Sequence, residues 1–450
     1  MRYLFIISML VFSITLSSQP LISKNTSVTV YNSNIGIVRE ARSMVLPKGN
    51  STAKIVDVAQ MIDPTTVRIK FDGEVLEQNY QYDLVSMDQI LQRYIDKDIQ
   101  LINDKGELFE GILLSCNGSQ VVIKKKDGNL LLLPNIGTYR IGVGELPQGL
   151  ITRPTLVCLL NSNKQGQQDL EMSYQTSGLN WHAEYVAILN DADNKLDMNS
   201  WVSIQNTCGT SFQNAEIKVI AGDVNLVNDR YRSGRYNSDK VYAMESVAVP
   251  QFEEKSLFEY HIYTLQRKST IANNESKQIS LFEKKDIKAV KKFIYSADNV
   301  GEDQKVNVQI VFENKESNNI GVPMPKGKVR IFKASGSSLE FIGEDQIDHT
   351  AKDETVKLNI GSAFDIKASS VSTNFKKISE KISEMTYKVT VKNHKAEDIE
   401  VYISKYLGLN GTIRESDLEY KKVDAANISF SPKVKANSDK SFSFTVRFEN

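Results

Sequence analysis

Apolar and polar residues alternate one by one along much of the chain. Tyr387, Val389 and Val391 are interleaved with Lys388, Thr390 and Lys392; Phe442, Phe444, Val446 and Phe448 with Ser443, Thr445 and Arg447; Val306, Val308, Ile310 and Phe312 with Asn307 and Gln309. Period-two alternation places one face of a strand on a core and the other in water, as in antiparallel sheets. Turn signals such as Asp104-Lys105-Gly106, Asn117-Gly118 and Asp127-Gly128-Asn129 punctuate the runs. Many short strands with frequent turns predict a mostly β chain of sandwiches and small barrels.

One short helix interrupts this pattern. Ser86 and Gln89 have the spacing of a capping box, and Met87, Ile90, Leu91, Tyr94 and Ile95 follow at helical intervals. The helix, within a linker at 83–96, divides two β regions. The first, 24–82, is expected to hold strands at Ser27–Tyr31, Ile35–Leu46, Ala53–Val58 and Thr66–Phe71. The second, 97–146, reads as five compact strands: Ile99–Asn103, Leu108–Cys116, Gln120–Lys125, Leu130–Leu133 and Thr138–Val143. Strands that short, joined by tight turns, predict a small SH3-like barrel. A large β-sandwich region follows at 150–377, with a mobile surface loop at 228–256, where charged and polar residues crowd. A C-terminal β-sandwich subdomain is expected at 378–450. The fold expected from the chain is thus a multidomain β-sandwich architecture with one small barrel and one short helix.

The N-terminus changes the picture by giving a compartment. Arg2 precedes an apolar run from Leu4 to Leu16, with small residues at Thr15, Ser17 and Ser18. That order is the signature of a secretory signal, expected at 1–18. The run falls short of the roughly 20 apolar residues that span a bilayer, and no later stretch reaches that length. After signal cleavage no transmembrane segment is expected, and the mature chain is placed in the periplasm or outside the cell.

With 450 residues the chain is long enough for two to four domains. Lys plus Arg equals Asp plus Glu at 55 each. A neutral chain offers no bulk attraction for nucleic acid. Lys124-Lys125-Lys126 reads as a solvated hairpin edge guarded by lysine. Cys116, Cys158 and Cys208 form no CxxC pair. Cys116 and Cys158 sit in apolar runs and read as core residues, with one disulfide open to an exported chain.

Candidate chemistry is sparse. Of the four histidines, His182 shares a strand face with Glu184, the spacing of an acid–base pair, although a hydrogen-bonded structural pair at a strand start is the plainer reading of the same residues. His261, between Tyr260 and Tyr263, reads as a member of an aromatic cluster. Asp191-Ala192-Asp193-Asn194-Lys195-Leu196-Asp197 begins like a calcium loop. It lacks the central glycine and the final glutamate, so a polar hairpin turn is expected. No hydrolase, zinc, phosphate-loop or dinucleotide motif occurs, so neither cofactor nor metal is implied. Asn-x-Ser/Thr triplets at Asn25, Asn50, Asn117, Asn274, Asn410 and Asn427 matter only in a glycosylating host.

Several segments taken in order point to a family. They are Val28-Thr29-Val30-Tyr31-Asn32, Ile37-Val38-Arg39-Glu40-Ala41-Arg42, Leu46-Pro47-Lys48-Gly49 and Ile62-Asp63-Pro64-Thr65-Thr66-Val67. Further on come Met172-Ser173-Tyr174-Gln175-Thr176-Ser177-Gly178-Leu179-Asn180-Trp181-His182-Ala183-Glu184-Tyr185, Trp201-Val202-Ser203-Ile204-Gln205-Asn206 and Ala221-Gly222-Asp223-Val224. Tyr260-His261-Ile262-Tyr263-Thr264-Leu265 and Leu339-Glu340-Phe341-Ile342-Gly343-Glu344-Asp345 complete the set. Together they resemble the mucoidy-inhibitor-A-like family of exported β-rich proteins, whose C-terminal two thirds is a domain of unknown function. The resemblance implies an extracytoplasmic β protein and brings no catalytic residues with it. Many relatives carry a long coiled coil where this chain has the short helix and small barrel. The expected function is a non-catalytic binding or scaffold protein of the cell envelope or extracellular space, with a protein or glycan partner and oligomerisation open. The alternative is a secreted hydrolase acting on glycan or peptide, with His182, Glu184 or His261 at its site.

Overall fold

A computed structural model describes residues 23–82, 86–147, 150–222, 251–257, 260–298, 300–336 and 338–449. The expected signal at 1–18 lies outside the described residues, as does 228–250 of the expected loop. The last residues of that loop belong instead to a strand, Phe252–Leu257. The protein is mostly β, with one α-helix, Met87–Arg93, among the described residues. It divides into two compact units, the first comprising residues up to Asn180 with 205–219 and 267–275, the second the remainder.

In the first unit a sheet runs in the order Phe212–Ala221, Ser23–Tyr31, Ile35–Leu46, Gly166–Ser177 and Arg68–Lys70. Gly166–Ser177 pairs along the whole of Ile35–Leu46, from Gly166 opposite Leu46 to Ser177 opposite Ile35. A second sheet holds Thr155–Ser162 between Gly49–Val56 and Gly73–Gln81. The region 24–82 is therefore completed by strands at 155–177, which the chain pattern had assigned to the large region beginning at 150. Local periodicity carries no record of a partner strand this far along the chain. Thr155 lies directly opposite Gln81, so the chain between them departs and returns at neighbouring positions. Such adjacent ends are what let an inserted segment be accommodated without parting its host strands.

That insertion is the small barrel. Its antiparallel order is Arg140–Gly142, Asp98–Ile102, Leu108–Asn117, Gln120–Lys125, Leu130–Leu133, a nearly closed barrel-like sheet. Ile99, Leu101, Leu113, Val121 and Ile123 fill its interior, each worth about 1.5–3 kcal/mol when removed from water. The helix is capped by Ser86, whose Oγ accepts from the Gln89 amide at 3.2 Å. Its Leu91 and the following Tyr94 enter the barrel core, so the segment expected as a linker is a wall of the barrel. Lys124 and Lys125 lie on a strand with neighbours on both sides, not on a sheet edge, and Lys126 in the following turn pairs with Glu110 at 2.7 Å.

Two further sheets lie mainly in the second unit. One has the order Glu275–Lys288, Lys195–Asn206, Leu179–Leu189, Gly327–Ser335, Ser338–Ile347, with Leu179–Leu189 and Gly327–Ser335 parallel. Alternation along Leu179–Leu189 is strict. Trp181, Ala183, Tyr185, Ala187 and Leu189 are buried. Trp181 donates from Nε1 to the Ile220 carbonyl at 2.9 Å, and the Tyr185 hydroxyl donates to the Pro325 carbonyl at 2.6 Å. Buried aromatics with polar atoms are stable when those atoms find partners, as here. At Gly327 a Cβ would stand 2.1 Å from the Ala183 carbonyl oxygen, so the parallel pair closes only on glycine.

The other sheet has ten strands and runs from Gly411–Ser416 through Ser438–Glu449, Ile382–Asn393, Thr355–Lys377, Gly301–Glu313 and Val290–Ser296 to Ile399–Tyr406 and beyond. Val401 and Ile403, from one side of this order, share a core with Phe442, Phe444 and Val446 from the other. The sheet thus folds over on itself around Phe430, whose ring centroid lies 4.9 Å from that of Phe442 and 5.0 Å from that of Phe444. Ile378, the expected start of a separate subdomain, sits in the hairpin between Thr355–Lys377 and Ile382–Asn393, two adjacent strands of this one sheet. In chain order the first strand of this sheet is Val290–Ser296. All three cysteines are free and buried. Burial pushes the thiols of Cys158 and Cys208 up to about 11.

Candidate functional site

The i, i+2 spacing of His182 and Glu184 has its expected result. Both project from the outer face of Leu179–Leu189, and His182 Nε2 lies 3.0 Å from Glu184 Oε1. The parallel neighbour adds a residue that spacing does not reveal: Arg330 donates from Nη1 to Glu184 Oε2. Burial works against ionisation of Glu184, but the His182 hydrogen bond and the Arg330 charge outweigh it and hold the carboxyl below its usual range. Both oxygens of Glu184 are thus engaged, while the His182 side chain is 49% exposed on an open sheet face.

His261 is held by a carboxylate of the neighbouring strand. It lies on the hairpin of Phe252–Leu257 and Tyr260–Leu265, where its Nδ1 meets Glu254 Oε1 at 2.7 Å. Alternation sends Tyr263 to the buried face, where its ring packs edge-on against Trp181 with centroids 6.3 Å apart.

The Asp191–Asp197 segment forms a hairpin turn. Asn190 Oδ1 accepts from the Asn194 and Lys195 amides at 3.0 and 3.1 Å, and the Asn190 amide donates to the Lys195 carbonyl at 3.0 Å. Asp193 takes the left-handed conformation, φ 55°, which Asp tolerates better than most residues. Its carboxylate is engaged from two strands of different sheets. Lys291 donates to Oδ2 at 2.5 Å, and Lys333 donates to Oδ1 and, at 3.1 Å, to the Asp191 carbonyl. Burial opposes ionisation of Asp193. The hydrogen bonds and charges of the two lysines prevail and hold its pKa below the ordinary value. One carboxylate facing two ammonium groups leaves a net charge of +1.

These three side chains stand at a cleft of about 200 Å³. Its other walls are the aliphatic side chains of Leu189, Val308, Ile310, Ile342 and Ile360, with Gly361 and Ser362 beside them. Two of the isoleucines owe their position to β-bulges. Along Gly327–Ser335, Ile331 faces Gly343 and Phe332 faces Phe341, which leaves Ile342 as the extra residue. Along Gly301–Glu313, Val308 faces Gly361 and Gln309 faces Asn359, which leaves Ile360 as the extra residue. A bulge re-aims a side chain out of the pleat, and bulges gather at binding sites. A larger and more open hollow of about 540 Å³ next to the barrel is lined by Arg93, Tyr94, Lys97, Glu145, Leu146 and Pro147. Lys97 there lies 5.3 Å from the Tyr94 ring centroid.

Among the described residues no group of three or more His, Cys, Asp or Glu side chains could hold a metal ion, and no helix is long and apolar enough to cross a membrane. Sequence spacing picked out His182, Glu184 and His261, read Asp193 only as part of a hairpin turn, and passed over Lys291 and Lys333. The last two join Asp193 from 98 and 140 residues away. Comparison with known protein families and with characterised proteins finds no match to this chain.

Proposed function

We propose that the chain is an exported, non-catalytic binding or scaffold protein of the cell envelope or extracellular space, related to the mucoidy-inhibitor-A-like proteins. The observation that carries this reading is the cleft beside Asp193, where surplus cationic donors meet aliphatic walls. A concave site with convergent polar groups on an apolar lining is the usual form of a binding site. Arg2 and the apolar run from Leu4 to Leu16 support export, into the periplasm or the medium. The partner class is an envelope or extracellular protein or glycan.

A secreted hydrolase is the second reading, favoured by the 3.0 Å approach of His182 to Glu184. A general acid must hold a proton near the working pH. Glu184 is held ionised by His182 and Arg330, which suits it to orienting an imidazole and not to donating a proton. The test is incubation of the mature protein with cell-wall glycan and with envelope peptides, alongside capture of envelope components on immobilised protein. The binding reading expects capture that is lost in a folded Lys291→Met/Lys333→Met variant, and unchanged substrates. Turnover that disappears in a folded His182→Ala variant contradicts it.

A further inference from the structure

We propose that the cleft beside Asp193 binds a small monocarboxylate carrying a short, branched aliphatic body. This rests on the binding-protein reading above and names its ligand class. The charge argument comes first. An ammonium has three donors. Lys291 commits one to Asp193, and Lys333 commits one to Asp193 and one to the Asp191 carbonyl. Donors remain on both, and both side chains keep partial exposure, 27% and 32%. The surplus is a single positive charge beside a fixed carboxylate. That favours a monoanion over a phosphate dianion, which Asp193 would repel.

Shape gives the rest. The walls are leucine, valine and isoleucine, with no aromatic face for a planar ring to stack on. At about 200 Å³ the space is below the roughly 300–1,000 Å³ of sites for drug-sized ligands, so it suits a body of a few carbons. The bulged Ile342 and Ile360 come from different sheets and both line this cleft. Gly361, beside Ile360, has φ +153°, and a Cβ there would meet nothing within 4 Å, so the backbone is bare at this wall. Two sources share this chemistry: a free short-chain branched acid, and the C-terminal carboxylate of a peptide ending in an aliphatic residue.

Isothermal titration calorimetry on the full mature chain tests the proposal with isovalerate, isovaleramide, acetyl-Ala-Val and acetyl-Ala-Val-amide. Both acids are expected to bind at least tenfold tighter than their amides, and Lys333→Met or Lys291→Met to remove that preference while circular dichroism stays unchanged. Tighter binding of the peptide acid than of isovalerate assigns the peptide source, and the reverse assigns the free acid. Equal affinity of acid and amide, or no saturable binding of either acid, overturns the proposal. If envelope capture persists in that case, the ligand class has failed and the binding-protein reading stands. Release of free valine from the peptide probe, lost in His182→Ala, is the separate sign that the reading itself has failed.

Discussion

Two ion-paired carboxylates, one in each unit, solve the same electrostatic problem in opposite ways. In the first unit Glu40 and Arg42 point inward from the Ile35–Leu46 strand, each with a side chain only 5% exposed, and pair at 3.0 Å. Near them burial, and then the charge of Glu40, drives the Tyr174 phenol well above its usual range. In the second unit Asp193 holds two lysines at the lip of a cleft, and all three side chains keep some contact with water. The first arrangement buries an ion pair inside a core, away from water. The second carries one cation more than it needs and leaves donors open. Desolvation fixes the first as architecture, whereas surplus charge beside apolar walls makes the second the candidate site.

The largest expected effect breaks the closed pair. Glu40→Ala removes the carboxylate that faces a buried guanidinium and is expected to cost about 3–5 kcal/mol in denaturant unfolding. Glu40→Leu/Arg42→Met, which removes both charges and keeps their volume, is expected to recover most of that loss. A small effect for Glu40→Ala would mean that this pair is no more structural than the open one.

Asp193→Asn sharpens the other side of the comparison. Losing a half-buried anion shared by two lysines is expected to cost about 1–2 kcal/mol, less than the buried pair because water still reaches the cations. Because folding lowers the Asp193 pKa, its contribution is fully present above the ordinary carboxylate value of about 3.9 and is lost as pH falls through the lower, folded value. The stability gap between wild type and Asp193→Asn should therefore hold from pH 7 down to that range and close below it. A gap that closes at pH 6 would assign the effect to another group.

The smallest effect belongs to His182. Its exposed pairing with Glu184 predicts that His182→Ala changes stability by no more than about 1 kcal/mol. Glu184→Gln, which also removes the partner of Arg330, should cost more. If the two variants are equal, Arg330 contributes nothing to holding that carboxylate.

Alternation made much of this legible. Ile35–Leu46, Gln120–Lys125 and Leu130–Leu133 have the bounds that the pattern assigns, and the mostly β, multidomain fold follows from many such runs. The same pattern misleads inside Ile35–Leu46, where inward positions shared with Val38 and Leu46 are taken by Glu40 and Arg42. A charge that is paired in the core looks like a charge in water when only the chain is read. The His182–Glu184 pair was legible because both residues stand on one strand two positions apart. The cleft was not, for two physical reasons. Its lysines reach Asp193 from distant strands, and its isoleucines sit where the period of two slips by one residue, which no local count of polar and apolar residues detects. The pairing of Thr155 with Gln81 across an entire inserted barrel was hidden in the same way.

The most direct measurement is a methyl NMR titration of the mature chain with isovalerate, with isovaleramide as the neutral control. Bound at the cleft, the acid should shift the Ile342 and Ile360 methyl resonances along a saturable curve, with little response to the amide and none in Lys291→Met/Lys333→Met. Shifts that stay linear in concentration, or that appear equally with the amide, contradict a carboxylate site beside Asp193.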